Sequence, residues 1–187
     1  EGRVRANVKK AKAAGAELIV LASHDGFDVD RKLASRVKGI DVILTGHTHD
    51  AIPAIVRVGD TLLVASGSHG KFLARLDLEV KNKRVTNYAF KLMPVFSDAI
   101  PADKEMAALI DKIRAPYKAE LDEVVGKTEK LLYRRGNFNG TFDDLICNAM
   151  LEQRDAQIAF SPGFRWGACV MPGQNIRMED VYNHTAI

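Results

Sequence analysis

The chain has 187 residues, 47% hydrophobic and 27% charged, with a formal net charge of +3 from 27 basic and 24 acidic side chains. These proportions exclude a disordered, collagen-like or coiled-coil chain, and no apolar run reaches the ~18 residues that a membrane span needs. The charge is too mild and too dispersed to argue for nucleic acid or a membrane surface as partner.

Residues 3–15 read as an amphipathic helix ending at Gly15. Glu17-Leu18-Ile19-Val20-Leu21-Ala22 is a short apolar run of the kind that forms buried strands, and it enters Ser23-His24-Asp25-Gly26. A helix is predicted near 29–38. A strand over Ile40–Leu44 then enters Thr45-Gly46-His47-Thr48-His49-Asp50. Strand, helix, strand is the βαβ pattern of an α/β layer. Segments 54–58 and 61–65 flank Gly59-Asp60 as a hairpin. Residues 72–80 and 85–90 alternate apolar and polar across a Lys81–Arg84 turn, which predicts antiparallel strands with one wet face.

Pro94 to Pro101 breaks the pattern. From Asp103 to about Val125 a helix is predicted, kinked at Pro116, with Met106, Leu109, Ile110, Ile113, Tyr117, Leu121 and Val124 on one face. Thr141 is the expected N-cap of a helix over 142–152, Ala156–Phe160 a short strand, Ser161–Gly167 a loop, and Arg177–Tyr182 the start of another helix. Cys147 and Cys169 match no metal spacing and read as two small buried side chains. The sequence shows no initiator Met or signal peptide and opens inside a helix, so it reads as an internal piece of a longer protein.

Three histidines sit where a metal site would be built. His24 and His47 each fall just past an apolar strand, and ligands of α/β sheets collect outside the carboxyl ends of strands. His49 follows two residues later. In an extended segment both rings would point the same way; in a turn they would reach two different metals. A lone histidine at a strand end is usually just a hydrogen-bonded residue. The pairing of Ser-His-Asp-Gly with Gly-His-Thr-His-Asp one βα unit later favours metal, because imidazole suits Zn, Fe and Mn-type hydrolase centres. His69, in Ser66-Gly67-Ser68-His69-Gly70, reads as a turn histidine beside the same rim, and His184 as a surface residue.

Ser23-His24-Asp25-Gly26 and Gly46-His47-Thr48-His49 resemble the last two metal motifs of calcineurin-like metallophosphoesterases, in their 5′-nucleotidase branch. Gly46–Asp50 together with three further segments, Leu63–Leu73, Tyr133–Phe142 and Ser161–Gly167, makes the chain similar to the SoxB thiosulfohydrolases of sulfur oxidation. The resemblance covers nearly the whole chain. It implies an α/β fold with α+β elements: the C-terminal part of a metallophosphoesterase αββα sandwich (1–95), an interdomain helix (96–125) and the start of a 5′-nucleotidase-type substrate-binding domain (126–187). It implies two divalent ions, Mn2+ in this family, with His24 and His47 on one and His49 on the other. The remaining ligands and the catalytic histidine belong to motifs absent from this sequence, so the piece alone is expected to be inactive.

The nucleotidase loop Asn-Gly-Gly-Gly-Ile-Arg corresponds to Phe160-Ser161-Pro162-Gly163-Phe164-Arg165, which keeps the Arg and replaces the Asn. Arg165 is therefore implied as substrate-binding, since a guanidinium fork suits phosphate and sulfonate alike. Arg135 is a second candidate, with Arg134 an equal alternative. Phe164 and Trp166 would wall a channel or belong to the core. Asn148 stands where Asp is expected in relatives and reads as structural. The implied partner is a thiosulfonated, SoxYZ-type carrier protein, in the periplasm. A 5′-nucleotidase or related phosphoesterase, and a non-catalytic binding domain, are the alternatives.

Overall fold

A computed structural model describes residues 1–134, 139–161 and 169–185. It divides into two compact units, Glu1–Pro101 and Ala102–Ile187. No helix among the described residues is long and apolar enough to cross a membrane.

In the first unit, helix α1 (Gly2–Ala13) leads to β1 (Val20–Ser23), α2 (Phe27–Arg36), β2 (Val42–Thr45), the hairpin β3 (Val56–Val58) and β4 (Thr61–Ala65), and the ribbon β5 (Phe72–Lys81) and β6 (Arg84–Pro94). The sheet order is β1-β2-β4-β3. β1, β2 and β4 run parallel, and β3 joins antiparallel at the edge. This is the α/β layer that the sequence predicts.

Alternation along β2 and β4 decides what covers each face. Ile43 and Leu63, paired in register, point to α1 and α2 and join Val8, Leu33, Ala34, Val37 and Ile40. Val42, Leu62 and Val64 point the other way, onto Ala74, Leu76, Leu78, Val85 and Phe90 of the ribbon. Both faces of the central strands are thus buried, which is why they read as continuous apolar runs. The ribbon keeps one face wet, as its alternation predicts. Its turn has left-handed φ at both Asn82 and Lys83, the signature of a type I′ hairpin.

The second unit departs from the sequence reading in several places. Asp103 caps α3 (Lys104–Arg114), its carboxylate accepting from Met106 N at 2.8 Å. The expected long helix is interrupted, because Pro116 has no N–H to continue the ladder. A 3-10 turn (Ala115–Tyr117) and a short α4 (Lys118–Leu121) follow. Val124 does not continue that face: it opens β7 (Val124–Lys127), antiparallel to β10 (Asn175–Arg177). β8 (Leu132–Tyr133) pairs with β9 (Cys169–Val170).

Helix α5 (Thr141–Arg154) begins at the residue expected to cap it. Thr141 Oγ1 is drawn back to Leu131 O (2.6 Å) and Tyr133 N (3.1 Å), and Asp143 Oδ2 accepts from Gly140 N (3.1 Å) in its place. Residues 156–160 form no strand; Ile158 and Phe160 are exposed, with no ladder to join among the described residues. Helix α6 (Met178–Thr185) closes the described chain, over a core of Leu132, Phe142 and Val170. Cys147 is half-buried and Cys169 exposed, so neither is the buried side chain that the sequence suggests.

Candidate functional site

The parallel register sets Ser23 beside Thr45, and Thr45 beside Ala65, so three strands end level at one rim. His24 and His47 leave that rim next to one another. Their ring centroids are 5.1 Å apart at an interplanar angle of 64°. Gly46 keeps the approach uncrowded: a Cβ there would stand 3.3 Å from His24 Nδ1 and 3.3 Å from Ser23 O, close enough that a neighbour would have to shift slightly.

The turn that carries His47 is strained. Thr48 N donates to Gly46 O at 2.9 Å across His47, whose φ is 71°. An i→i+2 bond around a positive-φ residue is the rarer of the two γ-turns. His49 is also left-handed, with φ 59°. Such residues cost about 1–3 kcal/mol each and gather at functional sites.

Residues outside the histidine motifs hold these turns in place. Thr48 Oγ1 accepts from Phe27 N (3.2 Å), joining the two histidine turns. Ser23 Oγ donates to Asp30 Oδ1 (2.6 Å) and accepts from Asp25 N (3.3 Å). Asp30 is wholly buried, and neither its Oδ2 nor the Thr45 hydroxyl has a partner among the described residues. Sequence reasoning missed Asp30 and Thr48. A carboxylate in the first turn of α2 reads as an ordinary helix-start residue, and nothing local shows that it faces Ser23.

A second pair of rings lies on the same rim. The loop after β2 is zipped to the loop after β4 by Ile52 N to Ala65 O (3.0 Å) and Gly67 N to Asp50 O (2.8 Å), which together make an antiparallel Ala51–Ser66 bridge. This brings His49 to His69, with ring centroids 5.6 Å apart at 84°. His69 is the turn residue that the sequence suggests, and its ring lies against a predicted ligand. All four imidazoles are exposed. Behind His24 and Gly46 lies a groove of about 490 Å³, floored by Leu44, Val64, Phe72 and Leu76.

These donors fit metal chemistry in part. Imidazole pairs on strained, solvent-facing turns suit divalent ions. Among the described residues, however, no group of three or more His, Cys, Asp or Glu is gathered to hold one. Each pair supplies only part of a coordination shell.

Arg165, Arg135, Phe164 and Trp166 lie outside the described residues. Arg134, the equal alternative to Arg135 in the sequence, is 6% exposed and already bonded within its unit. Its guanidinium bonds Asp143 Oδ1 (2.8 Å), Ser161 Oγ (2.7 Å) and the His184 carbonyl, while Ser161 Oγ also donates to Asp143 Oδ1 (2.8 Å). These bonds tie β8 to α5 and to the end of α6 within the second unit. His184 is not a surface residue: it is buried and stacks on Phe142 at 4.0 Å. Burial pushes its pKa down, the Arg134 cation adds to this, and Asp180 and Asp143 oppose it. Asn148 is exposed on α5.

No family model matches the chain. Its fold matches the Thermus thermophilus sulfate thiohydrolase SoxB, solved in complex with glycerol, with a TM-score of 0.95 and 37% identity over 99% of this chain and 34% of that one. A 5′-nucleotidase precursor, also from Thermus thermophilus, shares the fold at a TM-score of 0.83 and 23% identity, over 97% of this chain and 40% of that one. Among curated sequences, the Bos taurus 5′-nucleotidase is 26% identical over 91% of this chain and the Homo sapiens enzyme 24% identical over 91%. The chain spans about a third of the length of these curated relatives. With its histidine turns at the ends of three parallel strands, the chain is similar along nearly its whole length to SoxB, and its matches support a SoxB-like chain of the 5′-nucleotidase and metallophosphoesterase type.

Proposed function

We propose that this chain carries part of the active site of a dinuclear-metal hydrolase, a thiosulfohydrolase that releases sulfate from a cysteine S-thiosulfonate on a SoxYZ-type carrier protein in the periplasm. The observation that carries this reading is the pairing of His24 with His47 at the ends of β1 and β2, in a chain 37% identical to a sulfate thiohydrolase along nearly its whole length. In this reading the first unit is the C-terminal part of the catalytic domain, and the second begins a substrate-binding domain.

His24 and His47 would hold one ion and His49 the other, as a pair of Mn2+. Two such ions supply an acidified water and neutralise developing oxyanion charge. This chain's own part is to orient. The γ-turn at His47 and the Phe27–Thr48 bond fix where the imidazoles project. Arg165, with Arg135, would hold the sulfonate oxygens. In the overall reaction an oxygen from water joins the terminal sulfonate sulfur. The bond from that sulfur to its neighbouring sulfur breaks, with the electron pair left on the carrier persulfide, and sulfate departs.

The experiment is an assay of the intact protein on a thiosulfonated carrier and on AMP. Sulfate release with little phosphate release is expected, and His47→Ala should abolish it. Fast AMP hydrolysis without sulfate release would favour the 5′-nucleotidase reading, which the curated relatives support. An intact protein that takes up no metal stoichiometrically, and is indifferent to His47→Ala, would be a binding domain.

A further inference from the structure

We infer that His69 is a positioning residue for His49, and so for one ion of the pair only; this rests on His49 being a ligand as proposed above. The argument begins with the turn. Lys71 N donates to Ser68 O at 3.2 Å, and the residues between them, His69 and Gly70, have φ of 58° and 66°. That is a type I′ turn, whose first central position favours Asn, Asp or Gly. The turn therefore has no use for an imidazole at 69; Asn-Gly would make it better.

What the imidazole does is meet His49. Among the described residues the His69 side chain forms no hydrogen bond or ion pair, and its ring stands edge-on to His49 at 84°. The two loops are fixed to each other by two backbone hydrogen bonds between residues 50–52 and 65–67, so the approach is set by the main chain. No corresponding contact links His69 to the His24–His47 pair among the described residues. Hydrogen-bonding partners of a ligand histidine change metal affinity about 10- to 100-fold when removed; an edge-on ring orients without that bond, so the effect here should lie at or below the low end of that range. The effect here should fall on the ion that His49 holds.

The test compares His69→Asn with wild type in the intact protein. Asn keeps the left-handed turn and removes the ring, so fold stability and site geometry are separated. Mn2+ binding is followed by titration and by electron paramagnetic resonance, and thermal unfolding is measured without metal. We expect wild type to take up two Mn2+ and show an exchange-coupled spectrum. His69→Asn should hold one ion at wild-type affinity and the other up to about 10-fold more weakly, with the coupled signal giving way to that of isolated Mn2+ at sub-saturating metal. The metal-free melting temperature should be unchanged or raised. Two ions held at wild-type affinity, or an equal loss at both sites, would overturn the inference while leaving the proposed function standing. A wild type that takes up no Mn2+ would overturn both.

Discussion

Ser23 Oγ donates a 2.6 Å hydrogen bond to Asp30 Oδ1, tying the last residue of β1 to the first turn of α2 across the loop that carries His24. Asp30 has no exposed surface. A buried carboxylate is costly unless it is bonded, so the Ser23 hydroxyl and the carboxylate depend on each other. Asp30→Ala leaves that hydroxyl without its acceptor and should cost about 1–3 kcal/mol, measured by urea unfolding of the intact protein. It should also loosen the His24 turn and speed exchange of the Asp25 amide. An Asp30→Ala protein with unchanged stability and exchange would show that the bond does not organise this turn.

Gly26 tests the junction of the two histidine turns. Its φ is +98°, and a Cβ there would stand 2.9 Å from Thr48 Cγ2. Gly26→Ala meets both obstacles and should destabilise by more than ~1 kcal/mol. Thr48→Ser removes the methyl and keeps the hydroxyl that accepts from Phe27 N. Adding it should recover only the steric part, because the backbone strain persists. Complete recovery in the double variant would mean that φ carries no penalty here.

The sequence made the first unit legible because its signals are local. Apolar runs marked β1, β2 and β4, alternation marked β5, and Gly59-Asp60 and Lys81–Arg84 marked the turns. His24 and His47 were legible because each follows a strand end. What was hidden depends on contacts distant in sequence. Arg134 and His184 are 50 residues apart, yet the guanidinium reaches the His184 carbonyl, so one read as an alternative to Arg135 at the substrate and the other as surface. The His49–His69 contact was hidden because it depends on a main-chain zipper between two loops. Val124 read as helix because β7 has its partner in β10, some fifty residues on.

The Arg134–Asp143 pair should prove costly to break and cheap to replace. Both side chains are nearly fully buried, and Nε meets Oδ1 at 2.8 Å. Arg134→Met alone takes the cation away from the buried Asp143 carboxylate, which keeps its bonds to Ser161 Oγ and Gly140 N, and should cost about 3 kcal/mol. Arg134→Met with Asp143→Leu removes both charges and should cost clearly less, even though α5 also loses the Asp143–Gly140 cap. Denaturant unfolding of both variants checks this. A double variant as unstable as the single one would mean that losing the pair itself, and not leaving a buried carboxylate without its cation, sets the cost.

His184 gives this unit a pH dependence of definite sign. In the fold its pKa is held below 6.5, first by burial and then by the Arg134 cation. In the unfolded chain it takes up its proton near pH 6.5. Between the two values the unfolded state binds more protons, so stability rises with pH across that window. The contribution is complete above about pH 6.5 and is lost as pH falls toward the folded value. His184→Phe cannot titrate, keeps a ring to stack on Phe142, and leaves the backbone carbonyl that Arg134 uses. Its unfolding free energy should therefore vary less between about pH 5 and 7 than that of wild type, the slope differing by at most about 1.4 kcal/mol per pH unit. Parallel slopes in the two proteins would mean that His184 is protonated alike in both states, and that its burial does not govern the acid stability of this unit.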